Sequence, residues 1–188
     1  MAEFDFDAAR SWTRFDPQRT LARRRDEQLP FVDASGIAGQ GLLLDTCVYI
    51  DQMQDRSPAV LDDMIARRQV NHSTVAIQEL MHTVGVLSRS DARTAGVIDE
   101  IGNQIKAMPP HRVFAPDAEV LGRGALLSGI LCRLQGYGKD AKLRALQDCV
   151  LFLQAQKLGL VVLTANVGDY DLLLQLVPAG RALFYRRK

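Results

Sequence analysis

The stretch Gly41-Leu42-Leu43-Leu44-Asp45-Thr46-Cys47-Val48-Tyr49-Ile50 sets the most apolar run of the chain directly against a carboxylate. Gly41 to Leu44 shows no alternation of polar and apolar residues, which fits a short strand buried on both faces of a parallel sheet better than a half-exposed hairpin strand. In open α/β sheets ligands bind beyond the carboxyl ends of the strands, so Asp45 falls where such a fold concentrates chemistry. A second reading stays open for this residue alone, in which Asp45 only caps a helix beginning near Thr46.

A chain of 188 residues, 47% hydrophobic and 24% charged, is long enough for one domain with a sizeable core. No apolar run approaches the roughly 18 residues of a membrane span. The acidic start, Met1-Ala2-Glu3-Phe4-Asp5-Phe6-Asp7, lacks the order of a secretory signal. A cytoplasmic location is therefore expected. Cys47, Cys132 and Cys149 have neither disulfide-framework nor zinc-knuckle spacing and are read as reduced core residues. The net charge of +1 supplies no global field for a polyanion, which leaves the local runs Arg23-Arg24-Arg25, Arg67-Arg68 and Arg186-Arg187-Lys188.

Residues 1–40 are expected to form an N-terminal arm, and residues 41–188 the domain proper. In the arm, Phe4, Phe6, Trp12 and Phe15 stand among charges of both signs, Pro17 and Pro30 interrupt the pattern, and packing on the chain's own domain is the expectation. Beyond the first strand, Ser57-Pro58 has the chemistry of a helix opening, with Ser57 as N-cap, and the helix should run to about Arg68. Residues 69–72 form a second short strand, after which Ser73 or Thr74 caps a helix carrying Glu79. Helices are expected over about 91–106 and from Pro116-Asp117 to Gly136. Another, apolar on most of its circumference, runs from Asp148 to Leu158 and stops at Gly159. Leu160 to Leu163 forms a further buried strand and ends in the acid-bearing loop Thr164-Ala165-Asn166-Val167-Gly168-Asp169-Tyr170-Asp171. A helix resumes at Leu172, and Ala182 to Tyr185 is read as a final edge strand.

Asp45, Glu79, Asp148 and the group Asn166, Asp169 and Asp171 thus all fall at one end of the expected sheet. Carboxylates gathered there repel one another unless protonated or bridged by a cation, and an oxygen donor set without His or Cys favours Mg²⁺ or Mn²⁺. His72, His82 and His111 share no metal-ligand spacing. Such ions support phosphodiester chemistry.

From about Leu42 to Tyr185 the chain resembles a PIN domain, specifically the VapC-type toxins of bacterial toxin–antitoxin pairs. Leu43-Leu44-Asp45-Thr46 is similar to the opening strand, acid and hydroxyl of that family, and Ser73 to Leu80 to its S/T-rich turn ending in Glu-Leu. Asp148 to Thr164 has its spacing from third acid to strand-ending Thr, and Asp169-Tyr170 resembles the Asp-Phe pair that follows. The resemblance implies a PIN-like parallel sheet with helices on both faces and a Mg²⁺- or Mn²⁺-dependent endoribonuclease. It also implies an RNA substrate, tRNA among the candidates, a cognate antitoxin and a homodimer. It makes Asp45, Glu79 and Asp148 the acidic core, with Asp45 and Asp148 as direct ligands. Asn166 stands where many members carry a fourth acid, so either Asp169 completes the ring or three acids act. The arm has no counterpart in the short members.

A haloacid-dehalogenase-like phosphatase also opens with a strand and an Asp, but it needs a second Asp where Cys47 stands. The competing reading from another class is a catalytically silent PIN-like module for dimerisation or protein binding. Retention of all three core acids argues against it, because carboxylates concentrated without chemistry would only destabilise the fold.

Overall fold

The computed structural model describes residues 4–11, 17–33 and 38–188. Trp12 and Phe15 lie outside the described residues. A five-stranded parallel sheet in the order β3-β2-β1-β4-β5 is built from β1 (Leu42–Leu44), β2 (Val70–Ser73), β3 (Val113–Phe114), β4 (Val161–Thr164) and β5 (Ala182–Phe184). The helices among the described residues are α1 (Phe6–Arg10), α2 (Thr46–Met53), α3 (Ala59–Arg67), α4 (Thr74–Val86), α5 (Thr94–Ala107), α6 (Ala118–Gln135), α7 (Lys139–Leu158) and α8 (Val167–Leu176).

The central strand explains why its sequence does not alternate. Leu43 enters one core with residues of α6, α7 and α8, while Leu42 and Leu44 enter a second core with residues of α2, α3, α4 and α5. Successive side chains of a strand point to opposite faces, so a strand covered on both sides needs an apolar residue at every position. Val162 and Leu163 of β4 divide between the two cores in the same way. From β1 the chain winds outward through β2 to β3, then returns through α6 and α7 to β4 on the other side of β1. The crevice between the carboxyl ends of β1 and β4 is the switch point of the sheet, the position where open α/β folds place ligands.

Several local expectations shift. Pro58, not Ser57, occupies the N-cap of α3, and the Ser57 hydroxyl is buried without a partner in the described structure. Ser73 caps α4 as expected, its hydroxyl accepting from the Val75 N–H at 3.0 Å while donating to Gln154 Oε1 at 2.6 Å. The helix expected from residue 91 begins at Thr94, because Asp91 instead folds the preceding turn through the Arg93 N–H and guanidinium. The edge strand β3 has too few residues to leave a pattern in sequence.

Two corrections bear on the site. Asp148 is not near the start of its helix: α7 begins at Lys139 and runs 20 residues to Gly159, which closes it at φ +69°. Lys142, Leu143 and Arg144 are exposed, so the first half of α7 carries no core-facing stripe for a sequence reading to detect. The loop expected through Asp171 is helical from Val167, with Asn166 as N-cap.

The arm packs on the domain. Phe31 bridges Phe184 in parallel with β5, with the Val32 N–H donating to the Phe184 carbonyl at 2.7 Å and the Phe184 N–H to the Pro30 carbonyl at 2.8 Å. Strand β5 therefore pairs on both sides rather than presenting a free edge there. Phe4 lies over Gly122 of α6 but stays 39% exposed, and Phe6 is more exposed still.

Candidate active site at the sheet switch point

Asp45 occupies the N-cap position of α2 with extended backbone angles, yet its side chain makes no capping hydrogen bond. Its Oδ2 instead accepts from Thr164 Oγ1 at 2.5 Å and from Cys47 Sγ at 3.2 Å. The pairing of β1 with β4 sets this up, since the Asp45 N–H donates to the Leu163 carbonyl at 3.1 Å and so aligns the ends of the two strands. The capping reading of Asp45 is thereby replaced by one in which the carboxylate is held across the switch point. Asp45 is only 5% exposed. Burial pushes its carboxyl above the ordinary range, opposed by the donors of Thr164 and Cys47.

Asp45, Glu79, Asp148 and Asn166 line a single cavity of about 1000 Å³. Glu79, one turn and a half into α4, is turned inward, and its Oε2 accepts from the Thr46 hydroxyl. Burial first, and the Asp45 charge in addition, raise the Glu79 carboxyl to about 7 against the partial relief from Thr46. Asp148 is raised well above the usual carboxylate range, by burial and then by the charges of Asp45, Asp169 and Glu79, with Arg144 opposing. These shifts follow from the geometry, because carboxylates that share one poorly solvated cavity disfavour each other's ionisation.

Asn166 ties the last leg together. Its amide nitrogen donates to Asp148 Oδ2 and to Asp169 Oδ2, each at 3.1 Å, while its amide oxygen accepts from the Asp169 N–H at 3.3 Å. As placed, Asn166 presents donors to the carboxylates and spends its oxygen on capping α8. Asp169 also accepts from the Tyr137 hydroxyl. Asp171, grouped with Asn166 and Asp169 at the sheet end in the sequence, is instead fully buried away from the cavity, where its Oδ1 accepts from Arg24 Nε at 2.6 Å.

Tyr137, Arg144 and Cys47 are members of this environment that the sequence reading missed. Arg144 had a signal, standing four residues before Asp148 on what proves to be one helix. Cys47, expected as a core residue, forms part of the wall, its Sγ accepting from the Ala165 N–H at 3.3 Å. Nothing near Tyr137 in sequence marks it.

The donor set is made of oxygens, which fits Mg²⁺ or Mn²⁺. Among the described residues no three His, Cys, Asp or Glu side chains close into a ready cage. Glu79 bonds to Thr46 instead, and Asp169 to Tyr137 and Asn166.

No family model matches the chain. No curated protein matches it. Solved structures do. A chain in the crystal structure of VapBC2 from Rickettsia felis, bound to a DNA fragment from their promoter, superposes with a TM-score of 0.53 at 10% identity, over 78% of this chain and 98% of that one. FitAcB from Neisseria gonorrhoeae gives 0.51 at 20% identity, over 76% and 96%. DNA-bound VapBC from Salmonella typhimurium gives 0.51 at 16% identity, over 78% and 98%. The likeness establishes the fold, which is the PIN-like one that the sequence resemblance implied. No described helix is long and apolar enough to cross a membrane.

Proposed function

We propose that the chain is a metal-dependent endoribonuclease, the toxin of a type II toxin–antitoxin pair, acting on RNA at the cavity that holds Asp45, Glu79 and Asp148. The observation that carries the reading is the convergence of Asp45, Glu79 and Asp148 on one cavity at the sheet switch point, where burial raises all three carboxyls. A fold that gathers carboxylates in a cavity loses stability unless a cation or a proton offsets them. The likeness to chains from VapBC and FitAcB structures supports the toxin role and a cognate antitoxin as partner.

Asp45 and Asp148 are the residues that would hold Mg²⁺ or Mn²⁺, with Glu79 and Asp169 adding negative charge around them. Bound there, the cation supplies charge neutralisation at a phosphodiester and acidifies water. Thr164 and Cys47 orient the Asp45 carboxylate. Asn166 keeps Asp148 and Asp169 together despite their like charge by donating to both. Glu79, with its carboxyl near 7, is suited to accept a proton at neutral pH. The experiment is cleavage of RNA by the purified chain with Mg²⁺, with Mn²⁺ and with chelator. A catalytically silent binding module would cleave in none of the three.

Metal-free stability should carry the signature of the same carboxyls. Glu79 has its folded pKa raised from 4.5 to about 7, so it favours the fold fully below 4.5 and loses that contribution as pH climbs through 7. The loss is at most on the order of 3 kcal/mol, or roughly 6–12 °C in melting temperature for a chain of this size. Melting in chelator is therefore expected to be highest in mild acid and to fall towards pH 8. Mg²⁺ or Mn²⁺ should raise it strongly at pH 8 and little at pH 5. Asp148→Asn should flatten both trends. Equal metal-induced shifts at the two pH values would remove the carboxylate explanation.

At the last leg, Asp169→Asn is expected to weaken metal binding and cleavage, because it removes a charge beside Asp148. Asn166→Asp should keep activity and tighten metal affinity, while lowering the melting temperature in chelator by replacing the amide that donates to Asp148 and Asp169. Calorimetric metal titrations paired with melting curves of the two variants check both expectations. A silent Asp169→Asn would leave three acids as the working set.

A further inference from the structure

Beside the carboxylate cavity lies a second one of about 680 Å³, with Cys47, Arg144 and Asn166 in the walls of both. Its remaining charged lining is Arg23, Arg186, Arg187 and Asp169. Four arginines against one acid make this a basic chamber opening on an acidic one. The sequence separates these arginines widely. Docking of the arm along β5 brings Arg23 to the C-terminal pair, and α7 contributes Arg144 one helical turn before Asp148.

The arginines are partly preset. Arg23 Nη2 donates to Asp26 Oδ1 at 2.5 Å, and Arg186 donates to the other oxygen of the same carboxylate. Arg186 also lies over the Phe31 ring, 4.6 Å from its centroid. Arg187 is held by Asp51, with its Nε 2.8 Å from Oδ2. A single Asp26 shared between two guanidiniums leaves an excess positive charge, and the Arg23, Arg186 and Arg187 side chains remain 46%, 57% and 48% exposed. A planar guanidinium fork matches phosphate oxygens.

Resting on the nuclease reading above, we propose that this arginine-lined cavity binds an RNA backbone phosphate neighbouring the one that is cleaved. Arg23 and Arg186 are its principal contacts. The arm then belongs to the substrate cleft: its docking on β5 positions Arg23, and through that residue it registers the RNA against Asp45 and Asp148. An acidic peptide is the other occupant that guanidiniums would accept. The shared wall with the carboxylate cavity favours the polyanion that also reaches the acids.

The test uses the full chain in chelator, so that binding is read without cleavage, and a fluorescent single-stranded RNA of mixed sequence followed by anisotropy. Arg23→Gln/Arg186→Gln is expected to weaken binding by one to two orders of magnitude and to reduce the salt slope by about 0.7, since each phosphate neutralised on a single strand contributes roughly 0.7. Arg23→Lys, which keeps the charge, should keep the wild-type slope. Asp26→Asn separates binding from scaffolding, because it removes the common partner of both arginines and leaves their charge. It should bind RNA as tightly as wild type or more tightly, whereas a purely structural role predicts that it behaves like the double variant.

Unchanged affinity and slope in the double variant would overturn the proposal, and metal-dependent cleavage by the wild type would still leave the nuclease reading standing. Arginine-dependent binding of oligoglutamate without binding of RNA would overturn it in favour of the acidic peptide. Arginine-dependent RNA binding in a chain that never cleaves with metal would preserve the phosphate site and remove the nuclease reading.

Discussion

Replacing Asp45 by asparagine is expected to reduce metal-dependent RNA cleavage about 1000-fold or more, the equivalent of roughly 4 kcal/mol of lost charge stabilisation in the transition state. The substitution keeps the shape of the side chain and an oxygen able to accept from Thr164, so the local fold has little reason to change. Its effect on stability should carry the opposite sign. In chelator at neutral pH, Asp45→Asn removes one of the carboxylates that raise Glu79 and Asp148, and the variant should melt at or above the wild-type temperature. With Mg²⁺ or Mn²⁺ the order should reverse, because the wild type alone has its full ligand set. A dead enzyme that is more stable without metal and less responsive to it separates loss of chemistry from loss of folding. Near wild-type cleavage by Asp45→Asn would remove the active-site assignment.

The parts of the fold that were legible in sequence are those where one physical requirement acts on consecutive residues. Leu42 to Leu44 and Val161 to Leu163 lack alternation because each strand feeds both cores, and that alone identifies them as interior parallel strands. Asp45 and Asn166 follow those strands directly, and Glu79 lies in the helix after β2, so one end of the sheet could be read as acidic before any contact was known. Gly159 marks a helix end because its left-handed backbone is one that few residues other than glycine adopt readily.

What escaped the sequence depends on partners distant in the chain. The exposed first half of α7 has no periodic apolar stripe, so the helix is read from sequence as starting at Asp148, which is a mid-helix residue. Tyr137 reaches Asp169 across the fold, and Arg23 meets Arg186 at Asp26 only because the arm lies along β5. Such pairings are set by tertiary register, to which local propensity is blind. Asp171 belongs to the same group. Its position two residues past Asp169 does direct it away from the acidic cavity, but into the protein rather than out to solvent.

The buried state of Asp171 yields the second large effect. The carboxylate is fully buried, and its donors are the Arg24 Nε at 2.6 Å, the Arg24 N–H at 2.7 Å and Gln175 Nε2 at 3.2 Å. Arg24, 36% exposed, is the cation that faces it. Removing that cation leaves a buried negative charge with neutral donors alone, a change that destabilises proteins by about 3–5 kcal/mol. Because the Arg24 side chain is partly solvated, the lower end applies, and Arg24→Met should unfold with about 3 kcal/mol less stability, or roughly 6–12 °C lower in melting temperature. Asp171→Asn should destabilise less, since Arg24 can return to water while the amide oxygen still accepts a donor. The double change Arg24→Met/Asp171→Leu should recover part of the loss, as apolar replacements of buried pairs often do. Urea unfolding of the three variants measures these differences directly. None of them should alter the metal affinity of the intact fold, because Asp171 lies outside the acidic cavity. A metal-binding defect in Asp171→Asn, with stability unchanged, would place that carboxylate in the active site and Asp169 outside it.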